Sequence, residues 1–244
     1  MSLYLTVILL SFMSVFTTAA GVMLALRFRE SPAGVAVGIG FSAGIMLLVS
    51  CLELIPESVA QTGVICALSV ATAGGLVLYA LHLVIPHTHL IDEATGLGAG
   101  ALKSAYLVVF GLILHDFPEG FAMANSYVAS PSLGILVAIA IALHNLPEEF
   151  AMAVPAVLLR RKVFLYSSAL LSALAEPLGA IVGLVAVDFL PGLNPLFIAF
   201  AAGAMIFVSI HELAPLARRY GNLSLFVVGV ALSGLVYLTL NAII

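Results

Sequence analysis

Apolar residues run in stretches long enough to cross a bilayer, and polar positions break them at regular intervals. A membrane helix needs about 20 mostly apolar residues. On that criterion the pattern predicts eight spans, over residues 3–26, 34–59, 63–85, 103–127, 132–158, 164–187, 195–217 and 222–243. The spacers hold the helix breakers: Ser31-Pro32, Ser130-Pro131-Ser132, Pro191-Gly192-Leu193-Asn194-Pro195 and Tyr220-Gly221-Asn222. The first run is too long for the apolar part of a cleaved signal and has no basic leader, so it reads as a span. One transmembrane domain over 1–244 is expected, with a single long loop at 86–102.

Basic residues orient these spans. Arg27, Arg29, Lys103, Arg160, Arg161, Lys162, Arg218 and Arg219 are all the Lys and Arg in the chain. In an eight-span layout every one of them falls on the same side. Basic residues collect on the cytoplasmic side of membrane proteins, which puts both termini outside the cytoplasm. A missed span would scatter the charges over both sides, so their clustering supports the count.

Composition removes the soluble alternatives. Of 244 residues, 63% are hydrophobic and 8% charged, and the mean hydropathy is +1.25. So few charges cannot cover a water-soluble surface, and they leave no basic face for nucleic acid. The chain reads as an all-α integral protein of the cell membrane, surrounded by lipid. Cys51 and Cys66 form neither a disulfide framework nor a Cys-x-x-Cys metal motif. Lying in apolar runs, they read as small buried hydrophobes.

Two internal repeats point to function. His115-Asp116-Phe117-Pro118-Glu119-Gly120-Phe121-Ala122-Met123-Ala124 recurs as His144-Asn145-Leu146-Pro147-Glu148-Glu149-Phe150-Ala151-Met152-Ala153, identical at seven of ten positions. Val49-Ser50-Cys51-Leu52-Glu53-Leu54-Ile55-Pro56 is echoed by Val208-Ser209-Ile210-His211-Glu212-Leu213-Ala214-Pro215. Each repeat relates two spans of opposite direction. That is the trace of an inverted-topology transporter, here in a 3+2+3 arrangement: spans 1–3 mirror 6–8, and spans 4 and 5 mirror each other.

The polar residues of spans 4 to 6 lie at the predicted midpoints: His115, Asn145 and Glu176. A central carboxylate costs roughly 2.5–3.5 kcal/mol on insertion scales. No Lys or Arg is predicted at that depth, so protons or metal cations must neutralise Asp116, Glu119, Glu148, Glu149 and Glu176. His115 and Glu119 are four residues apart and share a helix face, as do His144 and Glu148. Pro118 and Pro147 each remove a backbone hydrogen bond beside the histidines and are expected to kink the helix. Imidazole with carboxylate suits Zn²⁺, Fe²⁺, Mn²⁺ or Cd²⁺. Met123 and Met152 read as packing. Asp116 and Asn145, one position past each histidine, suit a second adjacent site or support of the first.

Other polar residues suggest a route. Glu53 and Glu57 lie towards the outer end of span 2, and His211 and Glu212 towards the inner end of span 7. They read as entrance and exit stations for a cation. Asp188 reads as solvated. His87 and His89, with Asp92 and Glu93, offer weak metal capture in the 86–102 loop. The Gly34-x-x-x-Gly38 pattern suits close helix packing, within the chain or against a second copy in a homodimer.

Eight spans, a histidine-bearing loop after span 3, and the paired His-Asp-Phe-Pro-Glu-Gly and His-Asn-Leu-Pro-Glu-Glu motifs together resemble the ZIP (Zrt-, Irt-like) family of divalent metal transporters. The resemblance covers essentially the whole chain. It implies uptake of zinc and related metals through a two-metal centre in spans 4 to 6. His115, Glu119 and Glu148 would be core ligands, with His144 in that position or beside it. Asp116, Asn145 and Glu176 would form the second position. The family's acidic residue in span 2 corresponds to Glu53, and its His and acidic pair in span 7 to His211 and Glu212. It further implies alternating access, with a metal-carrying bundle moving against a scaffold. Two departures add carboxylates: Asp116 replaces the usual Asn and Glu149 the usual Gly. Extra carboxylate hardens the site, so tolerance of Mn²⁺ or Fe²⁺ beside Zn²⁺ is expected.

Three rivals fit less well. An intramembrane metalloprotease needs His-Glu-x-x-His, and His211-Glu212-Leu213-Ala214-Pro215 fails at its fifth residue. A proton-coupled carrier of a small organic solute explains the carboxylates as a relay but not the duplicated histidines. A di-haem protein has no use for glutamate four residues from each histidine. No enzyme activity and no organic cofactor are expected.

Overall fold

The computed structural model describes residues 3–28, 32–84, 116–158, 162–215 and 223–244. The described residues are almost entirely helical and contain no strand. Seven helical runs among them are long and apolar enough to cross a membrane: Leu3–Arg27, Ala33–Thr62, Val64–Leu81, Pro131–Val154, Lys162–Phe189, Pro191–Leu213 and Leu223–Ile243. Helix α6, over 116–129, covers the C-terminal part of the predicted fourth span. Residues 103–115 of that span lie outside the described residues, as do His115 and the whole 86–102 loop with His87 and His89.

The first predicted span is two helices, not one. Helix α1 (Leu3–Ser11) and α2 (Met13–Phe28) meet at Phe12. There Val15 N–H donates to Phe12 O at 3.2 Å, a three-residue spacing that marks a tightened turn. Helix α3 (Pro32–Val49) passes through the turn Ser50–Leu54 into α4 (Ile55–Thr62). Gly63, at φ +83°, then reverses the chain directly into α5 (Val64–Val84). A residue with Cβ is strained at that φ, so a one-residue connection between two spans calls for glycine. Helices α7 (Pro131–Leu158), α8 (Lys162–Phe189), α9 (Asn194–Val208) and α10 (Leu223–Ile243) follow, with a short 3₁₀ turn at Pro191–Leu193.

Both copies of the second repeat contain a π-helical turn, at Ser50–Leu54 and Ser209–Leu213. Ile55 N–H reaches back five residues to Ser50 O, and Ala214 N–H to Ser209 O. The cause follows each turn. Pro56 and Pro215 have no N–H and crowd the carbonyl four residues earlier, and the wider turn relieves both problems.

Packing divides the helices into neighbourhoods. Helix α3 lies along α10, and α5 along α9, while α2 lies along α7 and touches α8. Helix α3 also crosses α7 and so joins the two sets. Small residues let the backbones approach, the usual basis of helix association in lipid. A Cβ at Gly203 would lie 1.8 Å from Ala71 O, and one at Gly120 1.9 Å from Glu176 O. The first motif copy faces Gly179, where a Cβ would sit 2.0 Å from Phe117 O. The second faces Gly21, where it would sit 2.9 Å from Leu146 O and Phe150 N. Phe117 and Leu146 are the same position in the two motif copies.

Large apolar side chains point outward. Ile65 and Val163 are each 85% exposed and Phe189 81%, which suits lipid rather than water. Cys51 and Cys66 are also exposed, so the expectation of buried cysteines is corrected: both face out from apolar helix surface. Met123 and Met152 are buried in the apolar core.

Candidate metal centre

Helices α6, α7 and α8 bring described polar residues of the two motifs together with Glu176. Helix α7 is continuous through Pro147, so that proline is held within a helix rather than ending one. Glu119 from α6 and His144 and Glu148 from α7 are all buried, and one ligand atom of each lies within 4.8 Å of the others. His144 Nε2 stands 3.0 Å from Glu119 Oε1. Tetrahedral ligands about 2.1 Å from zinc are roughly 3.4 Å apart, so these donors need to draw in by little more than an ångström.

Beside this trio, Asn145 Nδ2 donates to Glu176 Oε2 at 3.1 Å. The two are thus neighbours. Asp116 makes a further contact. Its carboxylate meets the Ser172 hydroxyl, which also contacts Glu149. Thr18 Oγ1 donates to the same Glu149 oxygen at 3.1 Å. Asp116 and Glu149 therefore converge on one hydroxyl. Glu149 has room because Gly21 lies opposite, where a Cβ would come within 2.6 Å of the Glu149 Cβ.

Charge makes the arrangement informative. Asp116, Glu119, Glu148, Glu149 and Glu176 are all buried. Arg27 and Lys162, the described basic residues, are both exposed. Buried carboxylates need a proton, a cation or several hydrogen-bond donors. Three nitrogen and oxygen donors around one point, among buried carboxylates, are compatible with a borderline divalent metal ion.

The residues expected along a route are not part of the Glu119, His144 and Glu148 cluster. Glu53 and Glu57 line a cleft of about 400 Å³ with Ser130, Ser132 and Asn241. Glu53 accepts hydrogen bonds from the Tyr237 hydroxyl and, at 2.9 Å, from Asn241 Nδ2. Glu57 accepts from Gln61 at 2.6 Å. His211 stacks on Phe207, with ring centroids 4.8 Å apart, and meets the edge of Tyr79 at 6.1 Å. Glu212 is buried. Asp188, expected to be merely solvated, accepts a hydrogen bond from Tyr4.

Thr18, Ser42, Ser172, Tyr237 and Asn241 are partners that the sequence did not single out. Only Thr18 and Ser172 left a trace there: Ser14-x-x-x-Thr18-x-x-Gly21 in the first span matches Ser172-x-x-x-Glu176-x-x-Gly179 in the sixth.

Residues 89–236 match the family model described as ZIP Zinc transporter. The chain is 36% identical to the zinc transporter ZupT of Corynebacterium aurimucosum, covering 86% of each protein. It is 38% identical to the zinc transporter GufA of Myxococcus xanthus, over 72% of this chain and 70% of that one. It is 34% identical to the zinc transporter ZupT of Chlorobium luteolum, over 100% of this chain and 99% of that one. The matched segment takes in both His-x-x-Pro-Glu motifs and Glu176, and the chain belongs to the ZIP zinc transporter family.

Proposed function

We propose that this protein carries Zn²⁺, and with it Fe²⁺, Mn²⁺ and Cd²⁺, across the cell membrane into the cytoplasm. The buried trio of Glu119, His144 and Glu148 is the observation that carries the reading. His115, Asp116, Asn145, Glu149 and Glu176 complete a two-position centre around it. The metal ion is the cargo, and this is a transporter, not an enzyme.

In this reading one transmembrane domain over 1–244 has eight spans in a 3+2+3 inverted repeat, with both termini extracytoplasmic. Two features support the repeat. The π turns occupy matching positions of two motif copies. Gly21 and Gly179 face matching residues of the other two. Metal enters by the cleft of Glu53 and Glu57, is exchanged through the centre by alternating access, and leaves past His211 and Glu212. His87 and His89 capture it at the cytoplasmic loop. A homodimer is compatible with this plan.

Chemistry dictates how the centre works. Water-coordinated Zn²⁺ loses hydration when it enters, and imidazole nitrogen and carboxylate oxygen replace it. A mixed site with two carboxylates holds the ion by charge as well as by coordination. The test is ⁶⁵Zn²⁺ uptake into liposomes containing purified protein, beside a Glu119→Ala, Glu148→Ala variant. Saturable uptake by the parent, abolished in the variant, is expected. A folded parent that moves none of Zn²⁺, Fe²⁺ or Mn²⁺ would overturn the reading in favour of the proton-coupled solute carrier.

A further inference from the structure

Ser42 behaves unlike most hydroxyl residues in these helices. Serine and threonine in a helix usually donate to their own backbone three or four residues back. Ser11, Ser14, Thr72, Ser168, Ser209 and Ser233 all do so. Ser42 instead donates across a helix crossing, from α3 to the backbone carbonyl of His144 on α7, at 2.7 Å. The contact is fully buried, with Ser42 at 0% exposure and His144 at 1%.

A second contact fixes the same crossing. Gly38, one turn before Ser42, faces Pro147, where a Cβ would lie 2.8 Å from the Pro147 Cβ. Helix α3 therefore grips α7 at two points, a hydrogen bond at His144 and a steric stop at Pro147. Glu148 follows directly. The grip thus falls on the turn of α7 that supplies two of the three clustered donors, at one of them and beside the other. A carbonyl oxygen has two lone pairs, so Ser42 binds His144 without displacing a helix hydrogen bond.

We propose that Ser42 is a positioning residue for metal binding: through the His144 carbonyl it sets the height and rotation of His144 and Glu148 relative to Glu119. This rests on the assignment of those three residues as metal ligands. Partners that orient ligands typically govern about 10- to 100-fold in metal affinity. Acting through the backbone, Ser42 belongs at the lower end of that range.

The experiment compares Ser42→Ala with Ser50→Ala in the full-length protein. Ser50 lies on the same membrane run and is equally buried, and its hydroxyl has no hydrogen-bond partner among the described residues. Zn²⁺ affinity is measured by titration calorimetry, and KM and Vmax by ⁶⁵Zn²⁺ uptake. Ser42→Ala is expected to weaken Zn²⁺ binding and raise KM by about tenfold while Vmax changes less than threefold. Ser42→Thr, which restores a donor, is expected to recover part of the affinity. Ser50→Ala is expected to stay within twofold of the parent. Equal losses in Ser42→Ala and Ser50→Ala, or none in either, would overturn the proposal. A parent that binds and transports no Zn²⁺ would instead overturn the metal-transport reading.

Discussion

Glu53 and Glu212 hold the same place in two separate π turns. Each is the fourth of five residues, with serine three positions before it and proline three positions after it. A π turn carries more residues per turn than an α-helix, so everything beyond it is rotated relative to a regular helix. The aim of both carboxylates therefore depends on a backbone irregularity that proline maintains.

Replacing either proline tests that dependence. Pro56→Ala or Pro215→Ala restores an N–H and lets the turn relax towards α geometry, rotating Glu53 or Glu212 by as much as about 100°. The folded protein is expected to survive, because an in-helix proline is itself unfavourable. Uptake is expected to fall severalfold. Thermal unfolding in detergent and ⁶⁵Zn²⁺ uptake, measured on the same preparations, separate the two effects.

The Ser172 hydroxyl has one hydrogen and two carboxylates to serve. Ser172→Ala leaves Asp116 and Glu149 facing each other, at an expected cost of about 1–3 kcal/mol. Adding Asp116→Asn removes one charge and supplies a donor, so the double variant is expected to regain much of that loss. Strict additivity in the mutant cycle would show that the three residues do not act together. Asp116→Asn alone is expected to shift metal competition from Mn²⁺ towards Zn²⁺, since one hard oxygen charge is lost.

Tyr237 holds the Glu53 carboxylate at the cleft that Glu53 shares with Glu57. Tyr237→Phe removes that donor and leaves Asn241 as the remaining described partner. One lost hydrogen bond is worth about 1 kcal/mol, so roughly a fivefold rise in KM is expected with Vmax near the parent's. A fall in Vmax at constant KM would place Glu53 in a later step than capture.

The glycine contacts make a stability prediction with a built-in control. Gly21→Ala and Gly179→Ala push a methyl into backbone atoms of the two motif helices, and each is expected to destabilise by about 1–3 kcal/mol. Gly234 has nothing within 4 Å of an added Cβ. Gly234→Ala is expected to be neutral or to stabilise by up to about 1 kcal/mol. Melting temperatures in one detergent suffice to rank the three.

What could be read in advance followed from solvent. Lipid admits almost nothing but helices, so hydropathy placed 34–59, 132–158, 164–187 and 222–243 close to the observed Ala33–Thr62, Pro131–Leu158, Lys162–Phe189 and Leu223–Ile243. Glu119, His144 and Glu148 could each be singled out because carboxylates and imidazole in an apolar run demand a reason, although the family resemblance grouped Glu119 and Glu148 with His115, which lies outside the described residues. The break at Phe12 was not legible, since no proline or glycine marks it and the apolar pattern runs on unchanged. Nor were Ser42 and Ser172. A serine that bonds its own helix and one that reaches across to another look alike in sequence, and only the crossing of two helices tells them apart. Cys51 and Cys66 were misread for a related reason. In a membrane protein an apolar run is as much at home outside as inside, so burial does not follow from hydropathy.

The burial of five carboxylates, Asp116, Glu119, Glu148, Glu149 and Glu176, has a consequence for turnover. In the proposed reading a site rich in buried carboxylate gains countercharge from its cargo, so loading the ion also steadies the fold. Residence time is the cost of that economy: every gain in affinity lengthens the stay of the ion unless something weakens the cage before release. A carrier built this way works fastest at intermediate grip, and variants that bind metal more tightly should be slower, not better.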